Sequence, residues 1–497
     1  MANLDNNILA VLEPSILPTE IKLKSNGEED GEAKQSLNIG SAVPFIDING
    51  HQFRNEDIQN FNLEIGGPIP LLNITLRDTS GVFEAAQYPR DGDVVTVLIN
   101  SKNQETFKSI HMDFNILSIS SPPTGMETRE PTYNIRGSAK IPGMYTEECK
   151  EYPEDTSLSH IEQIAQELEL GLATNIDSTD DLQPRIQPYI KTLDFIKETV
   201  KSSYVAENCF QKFYIDGYYY LNFIEVNKLI NSKNVRTLEE LQNSIISMDK
   251  AMTVDKGAEE HDSDDIESKL MLSNHPKTEG GGNHISRFSL QNNSNNISQK
   301  NGYKRVLQMY DDLEEERLTE FDIESFLSDN LRDGEGPLKG RTSEDVEGRH
   351  LKHKYIGRIQ DYSLEGNVHS NHKYSLLNNF QNLQELNKLK LVAELSSFNP
   401  QLYLFQKIPI LIYVTDGPKS DAIRKNEERL EKKGVKTSDN TFEKDKEDKE
   451  TPHVLDEFVS GHYIISKIEY TYRGSDNQLG QKITLQRREW PLRSNDI

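Results

Sequence analysis

The sequence predicts an α+β protein that is mainly β, with two β-barrel domains, a helical and mixed middle region between them, and long polar insertions. Three observations predict it. Short runs of alternating apolar residues at strand spacing occupy residues 44–138 and return over 388–488. Between them stands one amphipathic helix followed by an aromatic hairpin, from Thr192 to Val226. Only 35% of the 497 residues are hydrophobic, and the shortfall is concentrated in a few polar stretches. A chain this long exceeds one core, and about three domains are expected.

Residues 1–40 read as an N-terminal arm: a short apolar start, two prolines, then the acidic segment Ser25 to Glu32, expected to order only on a partner. The first β domain covers 41–150. It opens with Pro44 to Phe53, where Asn49-Gly50 marks a tight hairpin. Strands follow at Leu71 to Leu76, Asp93 to Ile99, Ile110 to Ile119 and Thr132 to Ser138, with Asp91-Gly92-Asp93 as a turn. The middle domain covers 151–385. Ser159 with Glu162 reads as a capping box for a helix carrying Ile161, Ile164, Ala165 and Leu168 on one face, with Gly171 as its stop. Thr237 with Glu240 reads as a second capping box.

In the helix from Thr192, placed as an N-cap, Phe195, Ile196, Val200 and Tyr204 share a stripe. The hairpin, within 210–229, carries Phe213-Tyr214-Ile215 and Tyr218 to Val226 around Asp216-Gly217, expected to supply positive φ for a two-residue type I′ turn. Residues 254–302 are rich in Asn, Ser, Gly and acid and read as an unstructured insertion. Asp311 to Glu316 reads as a solvated helix face, and Leu376, Leu377, Phe380 and Leu383 mark a last helix. The second β domain covers 386–492, with strands at Lys388 to Leu391, Ile408 to Val414, Tyr463 to Tyr472 and Ile483 to Leu485. It is interrupted by a Lys-, Glu- and Asp-rich insertion over 419–450 that holds too little apolar surface to fold onto it.

A formal charge of −25 argues against a nucleic-acid-binding face, which needs Lys and Arg to displace counterions, yet it suits a passage through which DNA slides without sticking. Cys149 and Cys209 are the only cysteines, which excludes a disulfide framework and a Cys-rich zinc module, and a reducing site of synthesis is the simplest inference. The start lacks a basic n-region, and no apolar run approaches the ~20 residues needed to span a bilayer. A soluble product made in a cytoplasm is expected, without membrane insertion.

The residues Pro44 to Phe53, the Leu76-Arg77-Asp78 strand end leading to Asp91-Gly92-Asp93, the Thr192 to Val226 helix and hairpin, and Gly461 to Ile465 leading to Ile483-Thr484-Leu485 carry a resemblance. In that order they resemble the baseplate central hub proteins of contractile phage tails, related to the hub part of type VI secretion spike proteins. The resemblance covers about 41–140, 155–229 and 386–492; residues 231–385 and 419–450 have no counterpart in it. It implies two tail-tube-like domains per chain and a homotrimeric, pseudo-sixfold ring that joins the tail tube to a spike and lines the DNA channel. The implied partners are the chain itself, a separate trimeric spike protein, tail-tube or tube-initiator proteins and baseplate wedge proteins. The implied location is the virion baseplate, after synthesis in the host cytoplasm. No β-helical repeat and no lysozyme-sized block follows Trp490, so a spike and any lytic activity are expected on another chain.

The competing reading is a metal-dependent hydrolase built on His350-x-x-His353 and His369-x-x-His372, each pair followed by Lys-Tyr. An i,i+3 pair does not align on one helical face as i,i+4 does, and no HExxH glutamate accompanies it. The plainer reading is a repeated polar hairpin. His261 to Asp265 and Asp177 with Asp180 and Asp181 read as solvated acid, the latter lacking the glycine and closing glutamate of a calcium loop. No phosphate-binding loop or nucleophile elbow is present. The hairpin aromatics could stack on sugars or bases, but core packing or an inter-subunit wedge suits them better. No residue is assigned a catalytic, cofactor-binding or metal role, and no cofactor is expected.

Overall fold

A computed structural model describes residues 8–21, 43–79, 81, 83, 88–90, 92–100, 108–121, 131–206, 209–230, 242, 245, 270–279, 282–293, 369, 371–372, 375, 379, 389–399, 401–414, 453–456, 459–474 and 478–487, and the backbone course alone of 304–310, 318–323 and 352–358. The arm contributes β1 (Leu9–Leu12). The first β block contains β2 (Val43–Ile48), β3 (His51–Gln52), β4 (Ile58–Ile65), β5 (Leu71–Arg77), β6 (Val94–Asn100), β7 (Ile110–Ser120) and β8 (Thr132–Ala139). The middle region is β9 (Glu147–Asp155), α1 (Ser157–Glu167), β10 (Gly171–Thr174), β11 (Gln183–Lys191), α2 (Thr192–Ser202), β12 (Gln211–Ile215), β13 (Tyr220–Glu225) and α3 (Val226–Ile230). Then come β14 (Leu272–Ser273), β15 (Ile285–Asn292), β16 (Lys304–Tyr310), β17 (Leu318–Ile323), β18 (Lys352–Arg358), β19 (Leu389–Leu395), β20 (Lys407–Leu411), β21 (Tyr413–Val414), β22 (Val454–Leu455), β23 (Gly461–Arg473) and β24 (Gln478–Arg487).

Period-2 patterning makes these strands: Leu72, Ile74 and Leu76 of β5 are buried, as are Leu389, Leu391, Ala393 and Leu395 of β19, while the alternate residues face outward. Among the described residues the expected barrels are not seen to close. Among the described residues no ladder joins β2 or β3 to β4; instead β4 pairs with β23, and both blocks run through one 13-stranded sheet. The mainly-β class holds, and the correction concerns closure.

The two blocks repeat one topology. Across the sheet the first runs β2-β6-β7-β8-β5-β4 and the second β14-β20-β23-β24-β19-β15. Each is therefore first, fourth, fifth, sixth, third, second of its own main strands. Corresponding ladders are antiparallel in both, except that β2 meets β6 antiparallel and β14 meets β20 parallel. Irregularities recur at matching places. The fifth strand bulges against the sixth between Ile116 and Ser118 and between Ile465 and Lys467. The second strand bulges against the third between Ile58 and Asn60 and between Ile285 and Arg287. Aligned on these bulges, the cross-sheet row Phe61–Ile74–Ile135–Ile119 corresponds to Phe288–Ala393–Ile483–Ile468. Leu63 likewise corresponds to Leu290.

Other expectations are revised. The arm is not free: β1 pairs antiparallel with β10, the N–H groups of Ser15 and Ile16 donate to Glu169 O, and Thr19 donates N–H and O–H to Asp113. Edge pairing with β10 orders it, which an apolar run of five residues does not announce. Residues 254–302, read as unstructured, contain β14 and β15, both strands of the second block's sheet, so that block takes strands from before residue 386. Helix α1 is capped by Thr156, whose hydroxyl accepts from Ser159 N–H, and not by Ser159 itself. Lys191 precedes α2 as its cap residue, and Thr192 already lies inside the helix. The left-handed residue after α1 is Glu169 (φ 59°), while Gly171 starts β10. The capping box at Thr237, the acid run at 311–316, the helix residues Leu376, Leu377, Phe380 and Leu383, and the insertion at 419–450 lie outside the described residues. Among the described residues no helix is long and apolar enough to cross a membrane.

Candidate functional site

Two features hold the two blocks together and a third packs the middle region; the first is the aromatic hairpin. β12 and β13 pair antiparallel with Ile215 opposite Leu221, leaving Asp216 to Tyr219 as the loop. The expected type I′ turn is absent, because the positive φ falls on Tyr219 (63°) and not on the Asp-Gly pair. The Asp216 side chain decides this: one carboxylate oxygen accepts N–H from Tyr218 (2.8 Å) and Tyr220 (3.0 Å), wrapping the loop around the acid. Burial pushes its carboxyl above the ordinary value, against these hydrogen bonds and that of the Asn222 amide. Gly217 is there for space, since a Cβ would stand 3.2 Å from Ile110 and 3.3 Å from Ile65.

The hairpin reaches both blocks. Toward the first, Ile215 N–H donates to Pro68 O, Tyr218 O–H donates to Lys108 O (2.8 Å), and the Tyr219 hydroxyl accepts Asp113 N–H (2.8 Å). Toward the second, the Tyr214 ring lies 5.4 Å from that of Phe405. Phe213, Tyr214, Ile215, Tyr219, Leu221 and Phe223 are buried, so these aromatics pack the interior and offer no open stacking platform for a sugar or base.

The second feature is the ladder between β4 and β23, with Ile65 opposite Ile468 and Asn60 opposite Arg473. Lys467 Nζ lies 2.9 Å from Glu64 and 2.6 Å from Glu469, and Lys482 lies 3.3 Å from Glu469. Desolvation would lower the Lys467 ammonium, but the two carboxylates outweigh it and hold it above its ordinary value. Glycines flank the ladder where the backbones come closest. A Cβ on Gly66 (φ 149°) would lie 2.8 Å from Lys467 Cα, and one on Gly474 would lie 2.6 Å from Ile58 O.

The third feature is a buried polar knot around α2. The Arg185 guanidinium donates to Ser202 Oγ (2.6 Å) and Ser157 Oγ (2.8 Å), and burial lowers it to about 10. His369 Nε2 donates to Ser202 O (3.0 Å), and its ring meets that of His372 edge-on at 5.5 Å. Burial pushes both imidazoles below their ordinary value, His372 to about 3 with the neighbouring His369, Arg185 and Lys201 acting in the same direction. Asn379 accepts Gln211 N–H and donates to the carbonyls of Val200, Lys201 and Ser203, tying this segment to the end of α2. Of the four candidate histidines, His369 and His372 thus form a neutral packed pair beside a cation. His353 is placed by backbone alone on β18, and His350 lies outside the described residues. Among the described residues no three His, Cys, Asp or Glu side chains gather as a metal site would require.

No family model and no curated protein sequence matches the chain. Solved structures do. A prophage tail protein from Shewanella oneidensis aligns over 90% of this chain and 99% of its own, with a TM-score of 0.47 and 9% identity. A tail protein from Neisseria meningitidis aligns over 90% and 97%, at 0.45 and 8%. A component of the type VI secretion system from E. coli, described as similar in structure to phage tail proteins, aligns over 90% and 77%, at 0.38 and 10%.

Sequence reasoning located the hairpin and most strands of both blocks but not β4, β14 or β15. It passed over Gly66, Gly474 and the Lys467 cluster, whose partners lie about 400 residues apart in the chain. The available signal was the alternation Phe61-x-Leu63, echoed by Phe288-x-Leu290 within a polar stretch.

Proposed function

We propose that this chain is a structural tail protein, the central hub of a contractile-tail baseplate, acting as a homotrimer that joins the tail tube to a spike and surrounds the DNA channel. The observation that carries the reading is the repeated strand order in one chain. Two like blocks per subunit give a threefold assembly six similar positions, so one face mates with sixfold tube rings while the other meets a threefold spike. The buried hairpin and the Lys467 cluster fix one block against the other, as a symmetry adaptor needs. The residues described act as packing and ties, which supports a role in assembly and not in catalysis. A separate spike protein, tube or tube-initiator proteins and wedge proteins are the partners this role calls for.

The charge of −25 supports a channel wall that repels the duplex. Screening over ~8 Å at physiological salt leaves that repulsion effective inside a narrow ring. Native mass measurement of the full chain tests the assembly, with a trimer expected and a persistent monomer contradicting it. Duplex DNA should pass through a column of immobilised protein without retention at low salt. Tight, salt-sensitive retention would point to a nucleic-acid-binding role in its place.

A further inference from the structure

Lys212 lies on β12 opposite Ile224 of β13, with Tyr214 two residues on and therefore on the same face of the strand. Both side chains meet Phe405 of the second block. The Tyr214 ring stands 5.4 Å from the Phe405 ring, and Lys212 Nζ lies 4.9 Å from its centroid. Phe405 is held there by its backbone, which is left-handed (φ 64°) and whose N–H donates to Ile465 O (2.7 Å). A ring face attracts an ammonium more weakly than a carboxylate does, and among the described residues no carboxylate pairs with Lys212.

Among the described residues the charge that acts on Lys212 has its own sign. It is Lys390 of β19, which stands between Gln291 of β15 and Gln486 of β24, both neutral, and which also has no carboxylate partner among the described residues. Both lysines are half-buried. The contrast within the molecule is Lys467, which has Glu64 at 2.9 Å and Glu469 at 2.6 Å and is held above its ordinary value. Burial first, and then Lys390, take Lys212 the other way, from 10.5 to about 8. At neutral pH its free-amine fraction is then on the order of a hundred times that of an ordinary lysine.

We propose that Lys212 is a carbamylation site, where Nζ adds carbon dioxide and the carbamate so formed pairs with Lys390. The amine lone pair attacks the carbon, an N–C bond forms as one C=O electron pair moves onto oxygen, and one N–H proton leaves to water. No oxidant, reductant or leaving group takes part. The product puts a negative charge where a positive one stood, so two like charges become an ion pair between the hairpin and the second block. Carbon dioxide suits the place because it is small and uncharged, and the site is half-covered by Phe405 and Tyr214. The carboxylate it creates is the group whose absence distinguishes this lysine from Lys467. Dissolved carbon dioxide would thereby strengthen the tie between hairpin and block, whatever the assembly in which the chain works.

The test uses the full chain in carbon-13 bicarbonate buffer at about pH 8, where the α-amino group also reacts. Carbon-13 NMR should show, beside the α-amino carbamate, a second carbamate resonance that saturates with dissolved carbon dioxide. Lys212→Arg should remove it. Lys390→Gln should weaken it roughly twofold or more by removing the counter-charge, and Lys197→Arg, at an exposed position on α2, should leave it unchanged. Trapping the unmodified sequence with triethyloxonium, followed by peptide mass spectrometry, should place an ethyl carbamate on Lys212, so the assignment does not depend on any variant folding. A second resonance that survives in Lys212→Arg, or a trapped adduct no more abundant on Lys212 than on Lys197, would overturn the site. An undiminished signal in Lys390→Gln would overturn the pairing.

Discussion

The first and second β blocks share strand order, ladder register and even the sites of their bulges, yet Phe61 is sealed and Phe288 is open at the same position in the lattice. The difference lies outside the strand. Both side chains sit on a second strand paired to a third, and what separates them is the ladder that β23 adds to β4 and that nothing described adds to β15. Burial in a sheet protein is therefore set by what lies beyond the edge as much as by the alternation of the strand itself.

Substitutions at matched positions sharpen this comparison. Phe61→Ala should cost about 3–5 kcal/mol in denaturant unfolding, because it opens a cavity under a strand covered on both sides. Phe288→Ala in the monomer should cost under ~1 kcal/mol, and similar losses at the two positions would break the distinction drawn here. Gly66→Ala should cost ~1–3 kcal/mol, since its φ of 149° favours glycine and the added Cβ meets the Lys467 backbone. Lys467→Met should cost roughly 1–3 kcal/mol by leaving Glu64 and Glu469 without their shared cation, and Ser118→Lys should not compensate.

The smallest effect concerns acid. His372 is lowered in the folded protein to about 3, so below the ordinary imidazole value of 6.5 the unfolded chain binds the extra proton and stability falls with pH. That loss should run from about pH 6.5 down to about 3. His372→Gln should flatten this limb of a stability profile and leave the alkaline side unchanged, and an unaltered slope would show that the pair does not titrate as its burial implies.

How much of this was legible in the sequence depended on whether a residue acts locally. Asn49-Gly50 announced its turn because both residues take positive φ there (54° and 80°), a purely local requirement. Asp216-Gly217 gave the same signal and misled, since the Asp216 carboxylate captures two backbone N–H groups and the glycine answers to Ile65 and Ile110 from another domain. β15 hid among Asn, Ser and Gln because its order comes from backbone pairing with β19 and leaves its side chains exposed. The His369–His372 spacing resembled a ligand pair, while the guanidinium that acts on it comes from Arg185, almost two hundred positions earlier. The repeat itself was invisible residue by residue, because rows such as Phe61–Ile74–Ile135–Ile119 and Phe288–Ala393–Ile483–Ile468 match in apolar character and register and hardly at all in identity.

The central claim is that one chain supplies two equivalent positions in a threefold ring. A three-dimensional reconstruction of the purified oligomer, computed without imposed symmetry, tests it most directly. Six sheet blocks should surround one channel at intervals of about 60°, alternating between the two blocks of each chain. A ring in which only one block per chain faces the channel, or a particle without threefold symmetry, would contradict the account.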